Sequence, residues 1–342
     1  MIDVPERNRW LTRFAWILAG LTLFLICSGG MVTSKNAGLA VPDWPTSFGY
    51  NMFLFPVSQW VGGIFFEHIH RLIASVIGLL TIVLAIWLWR AESRRWLRVL
   101  GVMALGAVIL QGVLGGIRVT MLKDEIGIFH ACLAQAFFGL LILIALATSR
   151  VWFEAASWPA RSQFVWLPVL TVSVIYLQLA LGATMRHQHR DLAILDFPAA
   201  YGQVIPDTSA ERLATINQWR DARALSDVTV AQIWLQMAHR FGALLISIGV
   251  ISTWLAFRGA ARKLATLSTV WLILLACQIT LGAWTIWSNK AADIATSHVA
   301  VGASMLAVGV SIWALAYRAR SLDEIEVKAP RSSLAREEAV AS

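Results

Sequence analysis

The stretch Glu67-His68-Ile69-His70-Arg71 puts an acid, an imidazole and a guanidinium near the start of a long apolar run, Val61 to Trp89. Ionisable side chains inside an apolar span are costly, so their presence points to function. Glu67 and His70 stand at i and i+3, about one turn apart on one helix face. Imidazole in apolar surroundings suits axial ligation of haem iron. A carboxylate one turn away can move protons at whatever that iron holds. The second half of the chain repeats the pattern as Gln236-Met237-Ala238-His239-Arg240, with the acid replaced by an amide. That difference predicts two similar sites, of which only the first does chemistry.

His70, His130, His239 and His298 are four of seven histidines, and each falls in an apolar run that ends on an arginine. The separations to Arg90, Arg150, Arg258 and Arg318 are 20, 20, 19 and 20 residues. At about 1.5 Å per residue, all four lie roughly 30 Å from the inner boundary, in one layer at the outer edge. One such histidine alone is most simply a hydrogen-bonded core residue. Four at matched depth, two per half, predict pairs on facing helices that supply both axial ligands of a haem. Zinc fits less well, because no third ligand type accompanies each pair. His68 faces another way from His70, and His187 and His189 open an outer loop. All three are expected at a surface or interface.

Arg71 and Arg240 each follow one of these histidines, and two readings stand side by side. A guanidinium recognises carboxylate well, so each could meet a haem propionate, or each could anchor the helix at the membrane interface. Asp43 and Asp196 sit between turn-forming residues in matching outer loops. Fixing an Asx-type turn is the preferred reading, which leaves the loops lying over the outer haem edges. Trp44, Phe197 and the pairs Gly29-Gly30 and Gly115-Gly116 read as packing features, small residues allowing close helix approach.

The elements that must position these residues follow from composition. Of 342 residues, 58% are hydrophobic and 14% charged, with mean hydropathy +0.67. That is a polytopic membrane composition. Seventeen tryptophans suit two interfacial belts. The net charge of +8 clusters at helix ends, where anionic lipid lies, so nucleic-acid binding is excluded. Cys27, Cys132 and Cys277 fall in or beside apolar runs and form no CxxC, which argues against a disulfide framework or zinc site.

Eight runs are long enough to span a bilayer as helices: 14–34, 62–89, 97–119, 126–149, 165–185, 231–257, 264–287 and 294–317. The first follows Arg7, Arg9 and Arg13 and reads as a retained helix rather than a cleaved signal. No alternating strand pattern competes, so the fold class is all-α integral membrane, eight transmembrane helices in two four-helix bundles. Arginine and lysine crowd the loops on one side, which puts both termini in the cytoplasm. Residues 37–45 match residues 190–198 at an offset of 153, and Gly49 and Gly202 keep it. Gln111, Leu114 and Gly115 likewise answer Gln278, Leu281 and Gly282. Each half has an even number of spans, so the repeat is parallel. The expected division is 1–150, 151–320 and a disordered tail, 321–342.

Taken together, these residues resemble the haem A synthase family: eight helices in two halves, the Glu67-x-x-His70-Arg71 motif, and His130, His239 and His298 in order. The resemblance covers nearly the whole chain. It implies oxidation of a methyl group of haem O to a formyl group by successive hydroxylation, with loss of water from a geminal diol. It implies that His70 and His130 flank the substrate haem near the catalytic Glu67, and that His239 and His298 ligate haem B as cofactor. It also implies a bacterial plasma (inner) membrane protein, with haem O synthase and cytochrome oxidase assembly proteins as partners. One departure stands out. Many members carry a cysteine pair in the first outer loop, and residues 35–65 here contain none. A di-haem cytochrome passing electrons from quinol to a partner explains the histidines equally well but not the Glu67/Gln236 difference. A transporter leaves the histidine layer unexplained.

Overall fold

The computed structural model describes residues 8–159, 162–188 and 192–328. Among them, eight helices are long and apolar enough to cross a membrane. In the first half these are α1 (Arg9–Ser34), α2 (Gly62–Ala91), α3 (Arg95–Met121) and α4 (Asp124–Ala147). A short α5 (Arg150–Ala155) follows on the inner side. The second half holds α6 (Trp166–His187), an extra α7 (Ala210–Asp221) in the outer loop, then α8 (Val230–Phe257), α9 (Arg262–Trp287) and α10 (Ala292–Lys328). The spans expected from hydropathy coincide with these helices to within a few residues at most ends. α1 starts earlier than expected, at Arg9, because the Asn8 side chain accepts from Trp10 N and Leu11 N at 3.1 and 3.0 Å. Such an N-cap satisfies donors that have no intrahelical partner.

One expectation about the tail is corrected. α10 runs on through Lys328, where disorder was expected from residue 321. Residues 321–328 contain neither Gly nor Pro, so the sequence carries no stop signal until Pro330. The rest of the expected tail, 329–342, lies outside the described residues, as do His189, Arg190 and Asp191.

The first-half helices close a ring in which α1 meets α2 and α4, and α3 meets α2 and α4. The second-half helices close a like ring: α8 against α6 and α9, α10 against α9 and α6. The rings join through α4 and α10, with α1 on α10 and α6 on α4. The inner part of each ring is largely apolar. Leu18, Leu84, Leu97 and Leu141 are fully buried in the first, Trp271, Phe257 and Leu264 in the second. Outward-facing Phe24, Leu79, Leu110, Leu244 and Ile273 remain exposed, as a surface solvated by lipid tails requires. The chain is an integral membrane protein.

Candidate functional site

Each of the four histidines lies against a glycine of the membrane-spanning helix before it. A Cβ added to Gly29 of α1 would stand 3.1 Å from His70 Cε1 of α2, and one on Gly115 of α3 would stand 3.3 Å from His130 Cε1 of α4. In the second half the distances are 3.4 Å from Gly182 of α6 to His239 of α8, and 3.1 Å from Gly282 of α9 to His298 of α10. Small residues let two helices approach closely enough to seat an imidazole between them. Within each half the two histidines face one another across the ring. His130 lies within electrostatic range of His70, and His298 of His239.

These imidazoles are short of partners. Nδ1 of all four is buried without a hydrogen bond. Only His298 has a nearby side-chain donor, Gln278 Nε2, at 3.4 Å from its Nε2. A buried polar group left unsatisfied costs about 1–3 kcal/mol, so four of them, two in each half, ask for something to bind. Among the described residues, no group of three or more His, Cys, Asp or Glu could hold a bare metal ion. Two facing imidazoles with no further protein ligand suit a metal that brings its own equatorial ligands, which is what a haem does. The donor set therefore fits haem in both halves.

Above each histidine pair an outer loop is tied down, and the two halves tie it differently. Glu67 is 4% exposed. Its Oε2 accepts from Val41 N at 2.9 Å and its Oε1 from Arg71 Nη2 at 2.7 Å. Arg71 Nη2 also donates to Val41 O at 2.8 Å. In the second half Gln236 closes both bonds to the equivalent residue by itself: Ile194 N donates to its Oε1 at 2.8 Å, and its Nε2 donates to Ile194 O at 3.0 Å. A carboxylate accepts only, whereas an amide both donates and accepts. The first half thus needs Arg71 to supply the donor that Gln236 carries within itself.

The remaining candidates serve the same loops. Arg71 Nη1 donates to Asp43 O at 2.8 Å and Thr46 O at 3.2 Å. Arg240 Nη1 donates to Ala199 O at 2.8 Å and Nη2 to Asp196 O at 2.6 Å. Asp43 accepts from Phe48 N and Gly49 N at 2.7 and 2.8 Å, and Asp196 from Tyr201 N and Gly202 N at 2.8 and 2.9 Å. Phe48 and Gly49 have φ of 51° and 78°, Tyr201 and Gly202 of 52° and 80°. Each aspartate thus holds a left-handed turn closed. Burial alone would lift the Asp43 carboxyl, but the Gly49 N–H, the Thr46 hydroxyl and the Phe48 N–H together hold it below the usual carboxylate range.

His68 corrects the surface expectation. It is fully buried, with ring centroids 4.7 Å from Trp60 and 5.1 Å from Phe55, and Nδ1 3.4 Å from Ser47 Oγ. The first outer loop folds back over the start of α2 and encloses it. His187 ends α6 beside Gly127 of α4, where a Cβ would stand 2.7 Å from its Nδ1. Gln111 and Gln278 read from the sequence only as repeat partners, and Gln178 was not singled out; all three meet a histidine. Gln111 and Gln178 donate to the backbone carbonyls of His130 and His239 at 2.9 and 2.7 Å, and Gln278 lies at the His298 ring. Each stands four residues before the glycine that seats that histidine, in a recurring Gln-x-x-Leu-Gly.

Residues 12–310 match the COX15-CtaA family, described as cytochrome oxidase assembly protein. The haem A synthase of Shouchella clausii is 28% identical over 77% of this chain and 88% of its own length. Those of Geobacillus kaustophilus and Shewanella oneidensis are 24% and 26% identical, over 92% and 89% of this chain and 93% and 94% of theirs.

Proposed function

The chain belongs to the COX15-CtaA family of cytochrome oxidase assembly proteins, and we propose from that premise that it is an oxidoreductase converting haem O to haem A. The reaction takes a peripheral methyl group of the porphyrin to a formyl group, a four-electron oxidation that also releases protons. The observation that carries the reading is the asymmetry of the two histidine pairs: one has Glu67 a turn outward of His70, the other Gln236 in the twin place.

The first half then holds the substrate, with His70 and His130 positioning haem O from either face. Glu67 is the carboxylate closest in sequence to that pair. One lone pair on each of its oxygens is committed to Val41 N and Arg71, which leaves a second on each for a proton or a water. Arg71 orients the carboxylate and closes the loop above it, which limits water entry. The second half holds haem B through His239 and His298. Haem B would supply one-electron redox capacity there, and the protein supplies position and a dry setting. Gln236 at that site offers no proton acceptor of comparable basicity, as a site confined to electron transfer requires.

The setting is a bacterial plasma (inner) membrane, with haem O delivered by its synthase and product passed to cytochrome oxidase assembly proteins. Both termini are cytoplasmic, from the arginine asymmetry of the loops. A cytoplasm-only reporter fused after Arg320 should be active, and an inactive one beside an active periplasmic reporter would reverse that orientation. The function itself is tested by expressing the full chain in cells that make haem O but lack this activity. Acid-extracted haem should then include the formylated farnesyl species by mass. Farnesylated haem that stays unoxidised, beside folded haem-loaded protein, would contradict the reading.

A further inference from the structure

Among the described residues, Arg118 is a cation beside the first histidine pair that the outer loops leave unused. It stands in the last turns of α3, about one turn outward of Gly115, which seats His130. Its guanidinium lies between two glycines: a Cβ at Gly38 of the first outer loop would be 2.9 Å from its Nη2, and one at Gly127 of α4 would be 3.1 Å from its Nε. His70, His130, Glu67 and Asp124 are within its electrostatic range. Yet among the described residues Arg118 makes no side-chain hydrogen bond or ion pair, with Glu67 and Asp124 included. Five N–H donors in a fixed fork, only partly exposed and met by no acceptor, are an unfinished carboxylate site.

The other arginines beside the histidines are already occupied. Arg71 spends its two terminal nitrogens on Val41 O, Asp43 O, Thr46 O and Glu67. Arg240 is held by the carbonyls of Asp196, Pro198 and Ala199. The second half also has no counterpart to Arg118. Counting from the matched Gln111/Gln278 and Gly115/Gly282, its twin is Thr285, whose hydroxyl bonds Leu281 O at 2.8 Å. The free guanidinium is therefore a property of the half assigned to substrate.

We propose that Arg118 binds a propionate carboxylate of the substrate haem through its guanidinium fork and thereby fixes the rotation of the porphyrin ring in the first-half pocket. The proposal rests on the reading that this half holds haem O. The chemistry gives a reason for such a clamp. A porphyrin carries several methyl groups around its rim, and two axial imidazoles leave it free to turn about the axis between them. A point of attachment at the propionate edge decides which methyl comes to Glu67. Gly38 and Gly127 are the places where bulk would push the fork aside.

The test uses the full chain in detergent with haem B retained in the second half. Ferric haem O and its propionate dimethyl ester are titrated separately by absorbance into wild type, Arg118→Gln, Arg118→Lys and His70→Ala. Wild type should bind the free acid about ten- to a hundredfold tighter than the ester, the range of charge-assisted recognition. Arg118→Gln should lose that discrimination by weakening only the free acid, and Arg118→Lys should keep part of it. An unchanged haem B spectrum in each variant reports that the protein is folded. If Arg118→Gln keeps the full preference for the free acid while His70→Ala abolishes binding, the Arg118 assignment is overturned and the first-half site stands. If His70→Ala leaves haem O binding intact, the assignment of substrate to the first half falls, and the proposal with it.

Discussion

The two outer loops are nearly the same turn held over the same kind of histidine pair, yet their anchors differ in one atom type. Gln236 holds Ile194 at both its N–H and its carbonyl. Glu67 holds only the N–H of Val41, and Arg71 must cross over to take the carbonyl. An amide would therefore serve the structural purpose in the first half at least as well as a carboxylate does. What the carboxylate adds is basicity, obtained by recruiting a guanidinium to the anchor. The second difference points the same way: Arg118 is uncommitted in the first half, and its twin in the second is Thr285. On the proposed reading, the half that keeps a base and a spare cation handles the substrate, and the half without them keeps the cofactor.

The largest effect should come from removing the first difference. Glu67→Gln keeps the bond to Val41 N, loses the one to Arg71, and cannot take a proton. Arg71 still has three loop carbonyls, so the protein should fold and load haem while haem A formation falls by about 10² to 10⁴, the range of a general base. Extracted haem would shift towards haem O or a partly oxidised form. Near-normal haem A output would return Glu67 to a loop anchor. The reciprocal Gln236→Glu should gain no activity. It removes the donor to Ile194 O and should destabilise the second outer loop by about 1–3 kcal/mol, read as faster proteolysis between residues 192 and 230.

Smaller effects should follow the glycine seats. Gly29→Ala and Gly282→Ala each place a Cβ 3.1 Å from an imidazole carbon, whereas Gly182→Ala places one at an ordinary 3.4 Å. The first two should shift the haem absorption bands of their own half, and Gly182→Ala should leave the bands nearly unmoved. Equal shifts from Gly282→Ala and Gly182→Ala would mean that the seat does not set the ring position.

The smallest effect separates the two loops themselves. The second has a core of its own, with Ile194, Ile216, Val228, Ile233 and Met237 buried together under α7. The first packs Phe48, Tyr50, Phe55 and Trp60 around His68 but has no α-helix of its own to cover its turn. Asp43→Ala should therefore speed amide exchange at Phe48 and Gly49 more than Asp196→Ala does at Tyr201 and Gly202. Because the folded Asp43 carboxyl is held below its ordinary value, its contribution is complete above about pH 4 and is lost as pH falls through the folded value. The first loop should accordingly loosen in acid, and amide exchange at Phe48 that keeps its protection at acid pH would count against the turn as the source of that shift.

Much of this was legible in the sequence because the dominant signals are long and physical. Apolar runs bounded by arginine gave eight spans, and the internal repeat marked the four histidines that the structure seats against glycines. The matching Asp43 and Asp196 turns could be read from their Pro and Gly neighbours. What could not be read was contact between elements far apart in the chain. Nothing local to Glu67 announces Val41 N, and nothing in His68 announces that Phe55 and Trp60 enclose it. Gly29 and Gly115 read as packing residues, but not as seats for particular imidazoles. The Gln-x-x-Leu-Gly pattern was within reach, since it recurs at 111, 178 and 278. α7 was missed because its polar sequence carries no apolar period, and the small core beneath it forms only with distant Ile194 and Met237.

The division of labour between the halves is tested most directly by asking which haem each pair holds. Full-length wild type, His70→Ala and His239→Ala would be purified from cells making both haem B and haem O, and the bound haems extracted and identified by mass. The account predicts that His70→Ala loses the farnesylated haems and keeps haem B, while His239→Ala loses haem B and keeps the farnesylated species. Loss of the same haem from both variants, or the opposite assignment, would contradict it.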